Sequence, residues 1–368
     1  MHFNLDGIST EITLPIAFNF NLKRILPISV LALSGLATSG LVLSPPHQTA
    51  HAQEKITLGV YSARHYNTDK ELYREFERQN PGITIKVLEA KDKVLLKRLE
   101  SEGANSPADV LVLVDAARLV KASKLGLFRP STSPTLQRLV PANLRDPQGK
   151  WYALTRRARV PIVNPDIVDP ASIKSYADLA NPALKGKLCL RNRKSPYNQS
   201  LVADQIILRG EAATAKWIRG MANNVSQEFF PKDTPQVQAV GKGKCGVAVV
   251  NTYYVGRMLA GRKGADNKAL AEKVKVVFPN PTHVNVSGAG VTASSDNPKA
   301  ALKLIEFLAS PNAGKGYAAA NLEYPVKGFG DNPILRSWGT FKADGVSVEQ
   351  LGAKNKQAQQ LMKDNGWK

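Results

Sequence analysis

Four of the ten tyrosines in this chain stand where they could do chemistry. Tyr61, Tyr73, Tyr152, Tyr176, Tyr317 and Tyr324 have settings that packing alone explains. The other four fall in loops after predicted strands. Tyr66 lies in Tyr61-Ser-Ala-Arg-His-Tyr-Asn-Thr-Asp69, and Tyr197 in Arg193-Lys-Ser-Pro-Tyr-Asn198. Tyr253 and Tyr254 lie in Asn251-Thr-Tyr-Tyr-Val-Gly-Arg257. Ligands of open α/β sheets bind beyond the carboxyl ends of the strands, which is where all four fall. A phenolate is a hard anionic oxygen donor, suited to a small, highly charged cation such as Fe3+. A free phenol titrates near pH 10, so binding must displace its proton. Neighbouring cations and a helix N-terminus both favour that ionisation. Arg64, Arg193 and Arg257 are close in sequence to these phenols, and Tyr253 and Tyr254 begin a predicted helix. Four phenolates on Fe3+ leave one net negative charge, which an arginine can neutralise.

A Tyr-Tyr pair alone is ordinary packing material. The metal reading gains from the absence of competing ligands. Beyond residue 52 the only histidines are His65 and His283, and Cys189 and Cys245 are distant from both in sequence. That is a poor supply for a zinc site of the usual His/Cys kind. No G-x-S-x-G, Walker A loop or G-x-G-x-x-G occurs. Ser287-Gly-Ala-Gly290 is glycine-rich without a phosphate-loop context, and reads as a tight strand.

The elements that must position the tyrosines alternate between strand and helix. Residues 56–61 read as a strand. Thr68 with Glu71 forms a candidate capping box for the helix that follows. A strand is expected over 83–88 and a helix over 92–102, stopped by Gly103. The apolar run 110–114 fits a strand buried on both faces, with Asp115 capping the next helix. Short strands are expected at 186–190 and 246–250, and helices at 199–209, 212–221 and 253–260. This is repeated β-α winding. Two extended stretches, 152–164 and 274–291, read as crossovers between two lobes. The first lobe is then discontinuous, 53–152 plus 282–325, and the second is 153–281. The tail, 326–368, is expected to pack on the second lobe; its Asn-Gly-Trp ending carries no functional signal.

The segments YSARHYNTD, RNRKSPYNQS and GVAVVNTYYVGR resemble the ferric-iron-binding periplasmic proteins of iron ABC importers, in particular the FutA branch, related to the Fbp ferric-binding proteins. The likeness runs through nearly the whole chain beyond residue 52, and HYNTD and NTYY are its specific parts. The resemblance implies a two-lobed type II solute-binding fold that closes about a hinge. It implies that Tyr66, Tyr197, Tyr253 and Tyr254 are iron-coordinating phenolates. His65 matches a position that ligates or merely neighbours iron, depending on the family member. One arginine among Arg156, Arg157 and Arg159 stands behind the ligands, or joins them when the iron is ferrous. Arg64, Arg157 and Arg257 are the expected partners of the phenolates or of a synergistic, carbonate-type anion. The implied ligand is Fe3+, with Fe2+ as the alternative. The implied partner is an inner-membrane iron ABC permease, served by a monomer without catalytic activity.

Export is legible in the N-terminal residues. Lys23 and Arg24 precede an apolar run over 25–43, and Ala50-His51-Ala52 offers a small-x-small cleavage site. This order reads as a secretory signal cleaved after Ala52 and places the protein in the periplasm. A membrane anchor is the alternative, but the run is short and rich in Gly, Ser and Thr. The chain carries a net charge of +20. Its basic residues are scattered and do not form an arm interleaved with aromatics, which argues against nucleic-acid binding. An oxidising compartment allows Cys189 and Cys245 to bridge. Two other functions compete with iron capture. One is a binding protein for a polyamine or an organic anion; the other is a hydrolase on a two-lobed fold, for which no nucleophile–base pair is recognisable.

Overall fold

The computed structural model describes residues 55–368. The expected signal and its cleavage site lie outside these residues. Among the described residues, no helix is long and apolar enough to cross a membrane.

The chain opens with β1 (Ile56–Ser62), α1 (Asn67–Gln79), β2 (Ile83–Glu89), α2 (Asp92–Glu102), β3 (Val110–Val114) and α3 (Ala116–Lys124). β1 pairs in parallel with both β2 and β3. The β3 residues Val110, Leu111, Val112 and Leu113 are fully buried, as its continuous apolar run requires. Asp115 caps α3 by accepting a hydrogen bond from the amide of Ala117 at 2.8 Å. The Thr68–Glu71 capping box does not form. α1 begins at Asn67, with Tyr66 in extended conformation at the N-cap. Asp69 supplies the negative charge of the first turn, and Thr68 turns its hydroxyl to Asn321, 3.4 Å away.

α4 (Pro134–Leu139) leads to β4 (Tyr152–Val163), the longest strand among the described residues, which takes up the first extended stretch. Then follow β5 (Leu188–Cys189), α5 (Pro196–Arg209), α6 (Glu211–Asn224), α7 (Asp233–Gly241), β6 (Val247–Asn251), α8 (Thr252–Leu259), α9 (Ala265–Glu272), β7 (Lys275–Val276) and β8 (Val284–Val291). The chain ends with α10 (Pro298–Leu308), α11 (Pro311–Asn321), β9 (Tyr324–Pro325), α12 (Pro333–Ser337), α13 (Val348–Ala353) and α14 (Asn355–Asp364).

The strand order is β2-β1-β3-β8-β4-β6-β5, with β7 and β9 also on β4. The first half of β4 pairs antiparallel with β8, and its second half with β6. One strand therefore belongs to both halves of a curled sheet. Gly288 and Gly290 lie inside β8 because neighbours press against it. A side chain at Gly290 would run into the Lys150 carbonyl and the Phe128 ring. Gly290→Ala should lower the unfolding free energy by about 1–3 kcal/mol through overpacking. Urea titration checks this against Gly345→Ala, where nothing lies near the added methyl.

Cys189 and Cys245 form a disulfide, with Cα atoms 5.9 Å apart. It joins β5 to the segment leading into β6. In the tail, α14 packs on α5 and α6, and α13 packs on α3 and α5. His283, immediately before β8, is fully buried. Its Nδ1 lies 3.3 Å from Asp344 Oδ2 and 3.6 Å from Asp204 Oδ1, and its Nε2 lies 3.0 Å from Ser200 Oγ. This cluster ties β8 to α5 and to the tail.

Candidate metal centre

The four tyrosines are brought to the N-termini of three helices. Tyr66 is the N-cap of α1, Tyr197 is the second residue of α5, and Tyr253 and Tyr254 lie in the first turn of α8. α5 starts three residues earlier than its apolar pattern suggests, because Pro196 occupies a first-turn position where its missing N–H costs nothing. A helix N-terminus carries partial positive charge, so each placement favours a phenolate.

The phenols converge. The hydroxyl of Tyr253 donates to that of Tyr197 at 3.4 Å. The rings of Tyr253 and Tyr254 lie 4.3 Å apart. The Arg257 guanidinium sits 4.7 Å from the centroids of both the Tyr66 and the Tyr253 rings, and so links the α1 side to the α8 side. Burial holds the Tyr253 proton well above the usual phenol range, and the Tyr197, Tyr254 and Tyr66 phenols add to that effect. Burial also raises Tyr66, as does Glu323, against the lowering effect of Arg257 and Arg64. Tyr254 is raised by burial, then by Tyr197 and Asp233. Without a cation these three phenols are therefore neutral near pH 7. A trivalent ion placed among them reverses the balance by direct bonding to oxygen.

Two buried arginines build the frame. Arg159, on β4, pairs with Asp233 at 2.8 Å and donates to Asn198 Oδ1 at 2.6 and 3.1 Å. It also donates to Asn251 Oδ1 at 3.1 Å. Asn198 is in α5, Asp233 begins α7 and Asn251 caps α8, so one guanidinium fixes three helix starts. Arg64, two residues beyond β1, ties the start of α1 to β4, β8 and Glu323. It pairs with Asp69 at 2.7 Å and with Glu323 at 2.8 Å. Its Nη1 also donates to Ser287 at 3.0 Å and Thr155 at 3.3 Å. Its guanidinium lies 5.0 Å from the Tyr66 ring centroid. Charge is needed in both places: an unpaired buried guanidinium would be costly, and each is answered by carboxylate and amide oxygens.

The remaining predicted residues divide. Arg157 is buried with its guanidinium 5.7 Å from the Tyr197 ring centroid. Its Nε has no partner, and neither has Nη2 of Arg257. Arg156 turns away, donating to the carbonyls of Pro325 and Gly328. His65 is half-exposed at the rim, with Nδ1 3.8 Å from Glu89 on β2; no contact joins it to the tyrosines among the described residues. No side-chain contact joins Arg193 to the phenols among the described residues. Arg191 instead lies 5.3 Å from the Tyr197 ring centroid and pairs with Asp233 at 3.3 Å. Sequence pattern does not point to Arg191, Asp233 or Glu323: Arg191 lies in the RNRKSPYNQS segment, whereas the two acids carry no local signal.

The chain is similar to known proteins over most of its length. Residues 105–345 match the family described as bacterial extracellular solute-binding protein. "Iron uptake protein A1" of Synechocystis is 44% identical over 330 residues, 88% of this chain and 91% of that protein. The "Fe(3+)-binding periplasmic protein" of Serratia marcescens is 28% identical, over 89% of this chain and 96% of its own length. A solved Trichodesmium structure, FutA (IdiA) in complex with iron and citrate ligands, superposes with a TM-score of 0.81 at 39% identity. The match covers 85% of this chain and 100% of that one.

Proposed function

The chain belongs to the bacterial extracellular solute-binding proteins, in the branch of the iron uptake and ferric-binding proteins, and on that premise we propose that Tyr66, Tyr197, Tyr253 and Tyr254 hold Fe3+ as phenolates. The protein is a periplasmic ferric-iron carrier of an ABC importer. Iron is cargo, bound and handed to an inner-membrane permease without chemical turnover. The carrying observation is the meeting of four phenols at three helix N-termini, around the most deeply buried of them, Tyr253.

The lobes of the clamp are residues 53–152 plus 282–325, and 153–281, with β4 and β8 as the hinge. Tyr197, Tyr253 and Tyr254 then belong to the second lobe and preload the ion. Tyr66 completes the shell on closure, where it meets Arg257 of the second lobe. A ligand can drive closure only by binding the closed state better, and the Tyr66 oxygen supplies that difference.

The spare N–H groups of Arg157 and Arg257 suit a carbonate-type or carboxylate anion beside the iron. Arg64 has its donors engaged by Asp69, Glu323, Ser287 and Thr155, so its role is to offset charge behind Tyr66. His65 is at most a rim ligand. A polyamine would need free carboxylates, yet Glu323 and Asp233 are already paired with arginines. Export removes the residues up to Ala52, leaving Gln53 first; the intact mass of secreted protein reads this directly.

The test is titration of the purified, metal-free protein with a ferric salt in weak chelator, followed by absorbance. Phenolate-to-iron charge transfer should colour the protein, saturating at one iron per chain. A colourless protein, or one that leaves iron with the chelator, overturns the assignment.

A further inference from the structure

We propose that Trp367, in the tail, is a positioning residue for the iron site, an inference that rests on Tyr197 being a ligand. Tyr197 is reached through the loop 191–195, which leaves β5 just after the disulfide. Three sets of contacts hold this loop. On one side the amide of Asn192 donates to Phe230 O at 2.8 Å, and Arg191 Nε donates to Pro231 O at 3.1 Å. From within α5, Asn198 Nδ2 donates to Arg191 O at 2.8 Å and Gln199 Nε2 to Arg193 O at 2.9 Å. The third set comes from the last residues described. Trp367 Nε1 donates to Arg191 O at 2.8 Å, and the Arg193 amide donates to Lys368 O at 2.7 Å.

The tail is built to deliver that indole. α14 packs on α5 and α6. Gly366, with φ of +84°, turns the chain back after the helix, a conformation that favours glycine. The Trp367 amide donates to Met362 O at 3.0 Å, and its ring, 2% exposed, meets Trp217 of α6 edge-on at 6.5 Å. Its one polar atom is spent on the carbonyl of Arg191, the residue whose guanidinium stands 5.3 Å from the Tyr197 ring centroid. Trp367 therefore sets the backbone that aims both a ligand and the cation behind it. Arg191 O keeps a second donor in Asn198, so losing the indole N–H loosens the loop without stranding a buried carbonyl.

Trp367→Phe removes that N–H and retains an aromatic ring. Ferric affinity should fall about fivefold, the scale of one neutral hydrogen bond, and the charge-transfer band should shift or broaden. The control is Trp217→Phe, which loses an indole bond to Tyr176 O and disturbs the same ring pair without touching the loop. It should lower Tm yet leave affinity and band as in the wild type. In iron-free protein, amide exchange at Arg193 should quicken in Trp367→Phe only. Wild-type affinity, band and Arg193 exchange in Trp367→Phe overturn the proposal, as does an equal loss of affinity in Trp217→Phe. A colourless wild type instead strikes the tyrosinate reading, and Arg193 exchange still decides whether Trp367 holds the loop.

Discussion

Tyr253→Phe and Tyr254→Phe should each weaken ferric binding by more than about a hundredfold, while the metal-free protein keeps its fold. Residues that merely orient metal ligands cost 10–100-fold in affinity when lost, so a ligand oxygen must cost more. The ring stays, and with it the packing of Tyr253 against Tyr254 and Arg257. Only the hydroxyl goes. The Tyr253 hydroxyl makes a single long bond, 3.4 Å to Tyr197, so stability should change by less than about 1 kcal/mol. Tyr66→Phe should differ in kind. Three phenols remain on the opposite lobe, so iron still binds and still colours the protein, but closure loses part of its driving energy. Ferric titration followed by absorbance, with small-angle scattering to report closure, separates the two classes. Wild-type affinity and colour in both Tyr253→Phe and Tyr254→Phe would mean that the tyrosinate site is wrong. Burial keeps Tyr66, Tyr253 and Tyr254 protonated before binding, so uptake releases protons and acid should strip iron from every variant.

A second large effect is expected from the buried histidine. Burial alone would lower the His283 imidazolium, but Asp204 and Asp344 outweigh it and push its pKa up to about 9. Ser200 and the Tyr176 hydroxyl, which accepts from the His283 amide at 2.9 Å, complete its surroundings. The unfolded chain titrates near 6.5. The folded value is the higher one, so this cluster contributes its full stability below about pH 6.5 and loses it as pH rises through 9. The difference corresponds to about 3 kcal/mol. Urea unfolding at pH 6 and pH 9.5 should show most of that drop. His283→Leu should already be destabilised at pH 6, by about 3–5 kcal/mol, since two buried carboxylates lose their cation. The pH dependence of this variant over the same range should be flat. A wild type whose stability does not change between pH 6 and 9.5 would mean that the histidine is neutral.

Much of this molecule follows from residue types and local spacing. A hard-oxygen donor set is visible in four strand-end tyrosines, since few histidines and cysteines compete with them. Winding of strand and helix follows from hydrophobic period, because burial of one face is a local demand on consecutive residues. Even Ser287-Gly-Ala-Gly290 announces a strand that neighbours crowd. What the tertiary structure decided is which groups answer each other across long separations. Helix starts moved: Tyr66 is the N-cap of α1, Asp69 in its first turn is held by Arg64, and Thr68 turns to Asn321. Arg191, two residues before the arginine that spacing favoured, faces Tyr197 because Asp233, 42 residues away, draws it in. Glu323 meets Arg64 across 259 residues, and Trp367 meets Arg191 across 176. No local pattern encodes such pairs. A buried charge or N–H must find a partner, but strand register and the path of the tail determine which partner lies within reach.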